Sequence, residues 1–186
     1  EALAHLDESL KQLDTDHVDI WYLHAKKAAA EISHELLDAQ RIAKEQGKIR
    51  FAGVSLHAGH AEVIPAAIEK KMDVVLVTYN FTMGDRNDAL MKSLHDAGVG
   101  VVAMKVMAGG RGPEAVALRE KLAAQGGMLS ALKWTLRNPF VHTTIPSTTD
   151  MAQLDENLRA MAEPWTPADE QKLVARLEQI RPDYCS

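Results

Sequence analysis

The chain has 186 residues, of which 46% are apolar and 25% charged, and this ordinary globular composition excludes a disordered, collagen-like or low-complexity protein. Its single cysteine, Cys185, cannot form an internal disulfide, which excludes a disulfide-stapled secreted scaffold. The net charge of -5 without a long basic run argues against a nucleic-acid partner, and no apolar run approaches the roughly 20 residues that cross a bilayer. We therefore expect one cytoplasmic domain over residues 1–186, with no membrane contact.

The chain begins within a predicted amphipathic helix. Leu3, Leu6, Leu10 and Leu13 recur at helical spacing with mostly polar or small residues between them. Neither an initiator methionine nor a strand precedes this helix. We expect the protein to continue upstream of residue 1.

Five short apolar segments are predicted strands. Several of them lack the alternation of apolar and polar residues, which is typical of parallel strands that are covered on both faces or that line a barrel. The predicted strands are Val18–Leu23, Ile49–Ser55, Val74–Tyr79, Val99–Met104 and Val141–Pro146.

Helical stretches separate these strands, so the pattern is βα throughout. Gly47 and Gly98 directly follow two of the helices, where a left-handed C-terminal cap favours glycine. A final helix begins at Thr166, with Pro167 in its first turn and Asp169 three positions after the cap, and we expect it to pack outside the sheet. The other predicted helices are Ile32–Gln46, His60–Lys71, Asn87–Ala97, Pro113–Asn138 in two pieces broken at Gly126-Gly127, and Met151–Met161.

Two architectures accommodate βα units of this size, namely an open doubly wound sheet and a (β/α)8 barrel. The glycine-rich fingerprints of nucleotide-binding open sheets are missing from the sequence, which favours the barrel. Five strands are too few to close a barrel of eight, for which about 250 residues are typical. The expected fold is therefore α/β, a partial (β/α)8 TIM barrel of about five parallel strands with flanking helices and without its N-terminal strands.

Polar residues that follow the strands are the first candidates for chemistry, because functional groups stand at the carboxyl ends of strands in both architectures. His24 can donate to a carbonyl oxygen or relay a proton, or it can simply bind a loop. Lys105 can neutralise a phosphate or oxyanion, or it can lie along the rim with its head in water. Ser147 and Thr148 open a helix whose free N–H groups can bind an anion, although Asp150 is adequate as a plain N-cap.

Two further pairs are less specific. His57 and His60 can contribute to a metal site when other ligands converge, but their place at a helix start favours solvation or capping, and we predict no metal site. Tyr79 can present its ring to a site, whereas Asn80 can simply form a turn.

With these residues assembled, the sequence resembles the aldo-keto reductase superfamily over nearly its whole length. The segment Ser9–His24 is similar to the helix, turn and fourth strand that end in the family's active-site histidine. Gly47–Ser55 is similar to the fifth strand, and Ile145-Pro146-Ser147 with Glu156-Asn157-Leu158 to the last strand and the cofactor-binding helix.

The resemblance implies a barrel that binds an extended nicotinamide cofactor and transfers hydride reversibly between NAD(P)H and an aldehyde or ketone. His24 corresponds to the catalytic histidine, whereas the family's tyrosine, lysine and aspartate have no counterpart in this chain, so we expect the chain alone to be inactive. The resemblance and the strand ends together give a predicted cofactor-binding set. Its members are Ser55, Met104, Lys105, Ser147, Thr148 and Asn157.

The sequence departs from the family around the cofactor. Leu56 replaces the usual asparagine after Ser55, Leu76 stands roughly where many members have glutamine, and Met104 falls where relatives stack an aromatic ring. Ser147 and Gln153 stand where NADP-dependent relatives carry basic residues, and binding the extra phosphate normally requires Arg or Lys. This favours NAD(H) slightly over NADP(H).

The alternative hypothesis is a non-catalytic cofactor-sensing or regulatory subunit of the same fold. The expected partner is a small carbonyl substrate, and open sheet edges can permit self-association. The sequence around Cys185 is similar to the segment that precedes a cysteine-rich, cluster-binding extension in some bacterial relatives. The alternative is that Cys185 is an incidental thiol.

Overall fold

The computed structural model describes residues 1–83, 85–107 and 127–184. Five parallel strands alternate with helices, as the apolar runs predict. The strands are β1 (Val18–Leu23), β2 (Ile49–Leu56), β3 (Val74–Thr78), β4 (Gly100–Met104) and β5 (Thr143–Ile145). The helices of the described ranges are α1 (Ala2–Gln12), α2 (His34–Glu45), α3 (His60–Glu69), α4 (Asp85–Asp96), α5 (Gly127–Leu136), α6 (Met151–Ala162) and α7 (Pro167–Tyr184), with a 3-10 turn at Ala29–Glu31.

The chain divides into two compact units, residues 1–77 with 90–101 and residues 78–89 with 102–186. In the first unit β2 pairs in parallel with both β1 and β3. Val54 and Leu56 share one face of β2 and are fully buried, and helices α2 and α3 contact this strand. On the opposite face, Ile20 lies beside Phe51 and these side chains are 36% and 43% exposed.

Helix α1 packs through only part of its predicted apolar stripe. Leu6 and Leu10 are buried against Ala43 and Ile49, with Leu3 partly buried beside them. Leu13 lies beyond the last helical residue and is 64% exposed, because the chain turns away after α1. The stripe prediction is therefore confirmed for three of its leucines and wrong for Leu13.

Helix α2 is tied to the sheet by a buried side chain. Gln40 is 2% exposed, and its amide nitrogen donates to the carbonyl oxygens of Trp21 and Gly53, each at 2.9 Å. The two acceptors belong to neighbouring strands, β1 and β2. One polar side chain therefore holds the helix on both strands at once.

In the second unit, β4 and β5 pair in parallel. Ala131 of α5 and Leu173 of α7 belong to one buried apolar cluster with Phe81, which follows β3. Two tryptophans, Trp134 and Trp165, are partly buried against this cluster. The final helix thus contacts another helix, as expected for an element outside a sheet.

A buried charge pair crosses this helix contact. Lys133 on α5 donates to the Asp169 carboxylate at 2.8 Å, and both side chains are about nine-tenths or more buried. The Ser130 and Thr166 hydroxyls each donate to the same carboxylate at 2.7 Å. Burial raises the pKa of Asp169, but these hydrogen bonds outweigh it and hold the pKa well below its usual range. We call these four residues the α5–α7 junction.

Several predicted boundaries move for local reasons. Predicted helix Ile32–Gln46 begins instead at His34, because Ser33 is its N-cap and accepts from the Leu36 N–H. Predicted strand Val141–Pro146 shortens to Thr143–Ile145, because the Val141 N–H is used in a turn back to Asn138. The predicted helix start at Pro113 and the break at Gly126 lie outside the described residues.

Candidate active site

His24 is exposed directly after the last residue of β1. The next residue, Ala25, has a φ of 53°, a left-handed conformation that turns the chain sharply away from the strand. The imidazole therefore stands at the carboxyl end of the strand, where the sequence analysis expected it.

Ser55 holds the segment that follows His24. This serine is 2% exposed, and its hydroxyl accepts a hydrogen bond of 2.9 Å from the Ala25 N–H. Its carbonyl accepts another, of 2.8 Å, from the Lys26 N–H. The first unit thus brings His24 and Ser55 to the same place, with the serine bound to the backbone beside the histidine.

His57 completes the local arrangement through a contact that the sequence pattern did not predict. Its ring lies 6.3 Å from that of His24 between centroids, with an interplanar angle of 88°. His57 follows β2 and shares strand parity with Ser55, a signal of a common face that could have linked it to His24. We call residues 24–27 and 57–59 the β1–β2 rim.

A tight backbone contact closes this rim. Gly59 has a φ of 72°, and a Cβ placed on it would lie 1.9 Å from the Lys27 carbonyl oxygen. Only glycine fits there without moving one of the two segments. The sequence pattern pointed to the histidines on either side of Ala58-Gly59 and not to this glycine.

Tyr22 lies on the same face of β1 as His24, two residues earlier. Its ring packs against Gly53 of the neighbouring strand, where an added Cβ would come within 2.7 Å of the ring. Burial raises the pKa of the Tyr22 hydroxyl. The group therefore stays protonated across the neutral range.

In the second unit, Met104 and Lys105 follow one another at the end of β4. Met104 is 8% exposed, whereas Lys105 is exposed and has a φ of 54°. The Asn80 side-chain amide donates to the Lys105 carbonyl at 3.1 Å and fixes that turn. Asn80 also accepts from the Thr82 backbone N–H at 3.1 Å, in agreement with a turn-forming role.

Tyr79 does not present its ring to the surface of this unit. It is 1% exposed, its hydroxyl donates to the Asp88 carboxylate, and it accepts from the Asn138 amide at 2.7 Å. Burial and the Asp88 contact raise its pKa far above the usual range. These partners make Tyr79 a packing residue.

Ser147 and Thr148 are exposed before the N-terminus of α6. Asn157 on this helix donates to the Thr148 hydroxyl at 3.0 Å, which joins two members of the predicted cofactor-binding set. Asp150 is the N-cap and accepts from the Gln153 N–H at 2.9 Å, as the sequence predicts. Exposed hydroxyls at a helix N-terminus fit an anionic group such as a nucleotide phosphate, while the Asp150 carboxylate opposes additional negative charge.

Within the described ranges, no group of three or more histidine, cysteine, aspartate or glutamate side chains is placed to hold a metal ion. The helices of those ranges also include none that is long and apolar enough to cross a membrane. Cys185 lies outside the described residues.

The model of the Aldo/keto reductase family matches residues 1–178. The chain therefore belongs to the aldo/keto reductase family, and the resemblance drawn from His24, Gly47–Ser55 and Ile145–Ser147 is confirmed. Two curated proteins are similar to it. One is the "uncharacterized oxidoreductase YrpG" of Bacillus subtilis (strain 168), 27% identical over 188 residues covering 84% of this chain, and the other the L-galactose dehydrogenase of Arabidopsis thaliana, 24% identical over 200 residues covering 94%.

Solved structures give the same fold. The aldo-keto reductase AKR11C1 from Bacillus halodurans, in its holo form, superposes with a TM-score of 0.70 at 22% identity over 94% of this chain. The aldo-keto reductase MGS-M4 from a Medee basin deep-sea metagenome library superposes with a TM-score of 0.67 at 19% identity over 91%. The expected partial-barrel fold is thereby confirmed.

The chain spans only part of the proteins that it matches. It covers 57% and 62% of the lengths of the two curated relatives, and 63% of each of the two solved structures. The roles of His24 and the six predicted cofactor-binding residues remain predictions, as does the single domain over residues 1–186.

Proposed function

We propose that the complete protein to which this chain belongs is an oxidoreductase that interconverts an aldehyde or ketone with its alcohol, using NAD(P)H. The observation that carries this proposal is His24, which stands exposed at a strand end with its loop fixed by Ser55, in a chain of the aldo/keto reductase family. An imidazole in that place can donate a hydrogen bond to a carbonyl oxygen as negative charge develops there.

The chain's own residues divide the work in this proposal. When bound, the nicotinamide supplies the hydride. His24 orients the substrate carbonyl. Ser55 fixes the loop that follows the histidine and is the candidate to bind the carboxamide of the nicotinamide. Met104 is the candidate to cover one face of the nicotinamide ring. Lys105, Ser147, Thr148 and Asn157 are the candidates for the remainder of the cofactor, including its phosphates.

The test uses the complete protein and follows NAD(P)H oxidation with a panel of aldehydes and ketones. His24→Ala is expected to lower kcat by on the order of 10² to 10³, the usual cost of losing a positioned donor. His17→Ala is the matched control, since His17 precedes β1 and its ring pairs with the exposed Asp16 at 2.7 Å. A full-rate His24→Ala protein would assign the histidine a structural role.

Measurements on the complete protein also test the predicted preference for NAD(H) and the alternative of a non-catalytic cofactor-sensing subunit. We expect NADH to bind at least comparably to NADPH, because Asp150 lies at the helix start where an extra phosphate would need a cation. NADPH binding tenfold or more tightly, roughly 1.4 kcal/mol, would contradict that preference. Tight cofactor binding without turnover on any carbonyl would favour the cofactor-sensing subunit, and the 186-residue chain alone is expected to show no turnover.

A further inference from the structure

Gln40 is a buried polar side chain on α2 that has no role in the function proposed above. It is 2% exposed, and its Nε2 donates to the Trp21 carbonyl oxygen of β1 and the Gly53 carbonyl oxygen of β2, each at 2.9 Å. Within the described ranges, no protein group donates to its Oε1. Gln40 therefore acts through its two donated hydrogen bonds, which bridge the strand that ends before His24 and the strand that carries Ser55.

This bridge lies where β1 has few other contacts to hold its position. Among the described strands, β1 pairs with β2 alone, in a register that sets Tyr22 opposite Gly53 and Leu23 opposite Val54. Parallel pairing is also slightly less stable per residue than antiparallel pairing. Both acceptors of Gln40 lie within three residues of the carboxyl ends of the two strands, so the bridge ties the strands together close to the candidate site.

The loop after His24 depends on the relative position of these two strands. The Ser55 hydroxyl accepts from the Ala25 N–H at 2.9 Å, and the Ser55 carbonyl accepts from the Lys26 N–H at 2.8 Å. A displacement of β1 by about 0.5 Å along these bonds would lengthen both to or beyond the usual limit of about 3.2 Å. The place of His24 therefore depends on Gln40 by way of Ser55.

We propose that Gln40 is a positioning residue for the reaction, which acts through His24 by holding β1 and β2 in place and contacts neither substrate nor cofactor. This inference rests on the proposed function for the role of His24. Misplacing a catalytic group by about 1 Å can cost on the order of a hundredfold in rate. A buried amide on α2 can therefore control turnover at the end of the strand.

The test is a double-mutant cycle in the complete protein. Gln40→Met keeps the approximate size of the side chain and removes both donors, so we expect it to lower kcat for carbonyl reduction by about tenfold to a hundredfold. In the His24→Ala protein the same substitution should change kcat by less than about twofold, because the residue through which it acts is absent. Equal losses in both backgrounds, or an unchanged kcat in Gln40→Met, would overturn the proposal.

Two further variants separate positioning from a general loss of stability. Leu10→Ala is the matched control, since Leu10 belongs to the buried cluster with Ala43 of α2 and Ile49 of β2 and binds no strand carbonyl with its side chain. It should lower the thermal midpoint and leave kcat, measured well below that midpoint, within about twofold. Gln40→Asn shortens the amide by one methylene group and should give a smaller loss of kcat than Gln40→Met, again only where His24 is present.

NMR decides the positioning step without turnover. The ring proton signals of His24 are assigned in the complete protein by their loss in His24→Ala. Gln40→Met is expected to shift these signals, whereas Leu10→Ala should leave them in place. Unmoved His24 signals in Gln40→Met, or the same shift in both variants, would refute the proposal. If the unaltered protein reduces no carbonyl, the proposed function fails, and that outcome is separate because the ring signals report the place of His24 and not the reaction.

Discussion

The β1–β2 rim and the α5–α7 junction both fix segments that are far apart in the sequence, but they do so with different chemistry. At the rim, backbone N–H groups meet the neutral Ser55, and a glycine permits close approach of two main chains. At the junction, a lysine and an aspartate are buried together and hydroxyls complete the carboxylate's hydrogen bonds. The rim therefore depends on shape, whereas the junction depends on the charge of two side chains.

The largest expected effect comes from removing one member of the buried pair. Asp169→Ala leaves the Lys133 ammonium buried without its nearest carboxylate, since Glu163 lies 3.8 Å away against 2.8 Å for Asp169. Breaking such a pair typically costs about 3–5 kcal/mol. Urea denaturation of the complete protein measures the change in the free energy of unfolding.

Two controls show whether the loss of stability comes from the burial of the pair or from the loss of an ion pair alone. Glu45→Ala removes the exposed partner of Arg41 at 2.8 Å, an i,i+4 pair expected to contribute about 0.5 kcal/mol or less. The double variant Lys133→Met with Asp169→Leu replaces both charges by apolar groups and should recover most of the loss. Equal effects of Asp169→Ala and Glu45→Ala would contradict the importance of burial.

The rim is tested by adding one methyl group. Gly59→Ala places a Cβ against the Lys27 carbonyl oxygen and also puts a side chain at a φ of 72°, so we expect a loss of about 2–3 kcal/mol. Gly47→Ala has the same φ of 72° with nothing within 4 Å of the new Cβ, and should lose only about 1 kcal/mol. The difference between the two variants isolates the contact, and no difference would mean that the two segments separate readily.

Acid sharpens the contrast because the junction is held by a buried carboxylate, whereas the contacts that close the rim are made by backbone groups, Ser55 and Gly59, which do not titrate. The folded-state pKa of Asp169 lies below its usual value of about 3.9, so the unfolded chain binds a proton more readily than the folded chain. The stability that this carboxylate contributes is fully present above that value and is lost as the pH falls below it. The effect should be smaller than truncation, because protonation leaves the side chain in place.

Unfolding measured at pH 7, 5 and 3 checks this dependence. Asp169→Asn should flatten the fall in stability below pH 4 relative to the unaltered protein, while Gly59→Ala should keep the original slope. An Asp169→Asn protein with an unchanged slope would assign the acid sensitivity to other carboxylates.

Apart from the control variants, the smallest effect is expected at the cap of α6. Asp150→Ala removes the acceptor of the Gln153 N–H, at a typical cost of about 1 kcal/mol. Asp155→Ala, on the same exposed helix, changes the same charge without removing the cap and is the matched control. A loss of stability shared by both variants would indicate a general charge effect.

The regular elements could be predicted because their signals are local. The apolar runs define the strands, and Gly47 and Gly98 adopt φ values of 72° and 73° at the helix ends, as the C-cap pattern predicts. The Thr166 cap could be predicted in the same way, since the Asp169 N–H lies 3.4 Å from its hydroxyl. Local patterns did not reveal that Asp169 also binds Lys133, 36 residues earlier.

The candidate site could be predicted only in part for the same reason. The position of His24 follows from the end of an apolar strand and from the family resemblance. Its contact with His57 joins residues that follow two different strands, so it depends on the pairing of β1 with β2 and on the turn at Ala25. Sequence spacing pairs His57 with His60, which is close along the chain. It does not indicate the contact with His24, which lies across the sheet.

Gln40 offers a gauge of β1–β2 pairing in solution. Both protons of its side-chain amide are directed to strand carbonyls, those of Trp21 and Gly53, and the group is sealed from solvent beneath α2. Side-chain amide protons ordinarily exchange rapidly with deuterium, but these two can exchange only when the helix lifts or the strands part. Their exchange rate therefore reports the local opening of the strand pair that carries His24, at one assignable glutamine and without any substitution.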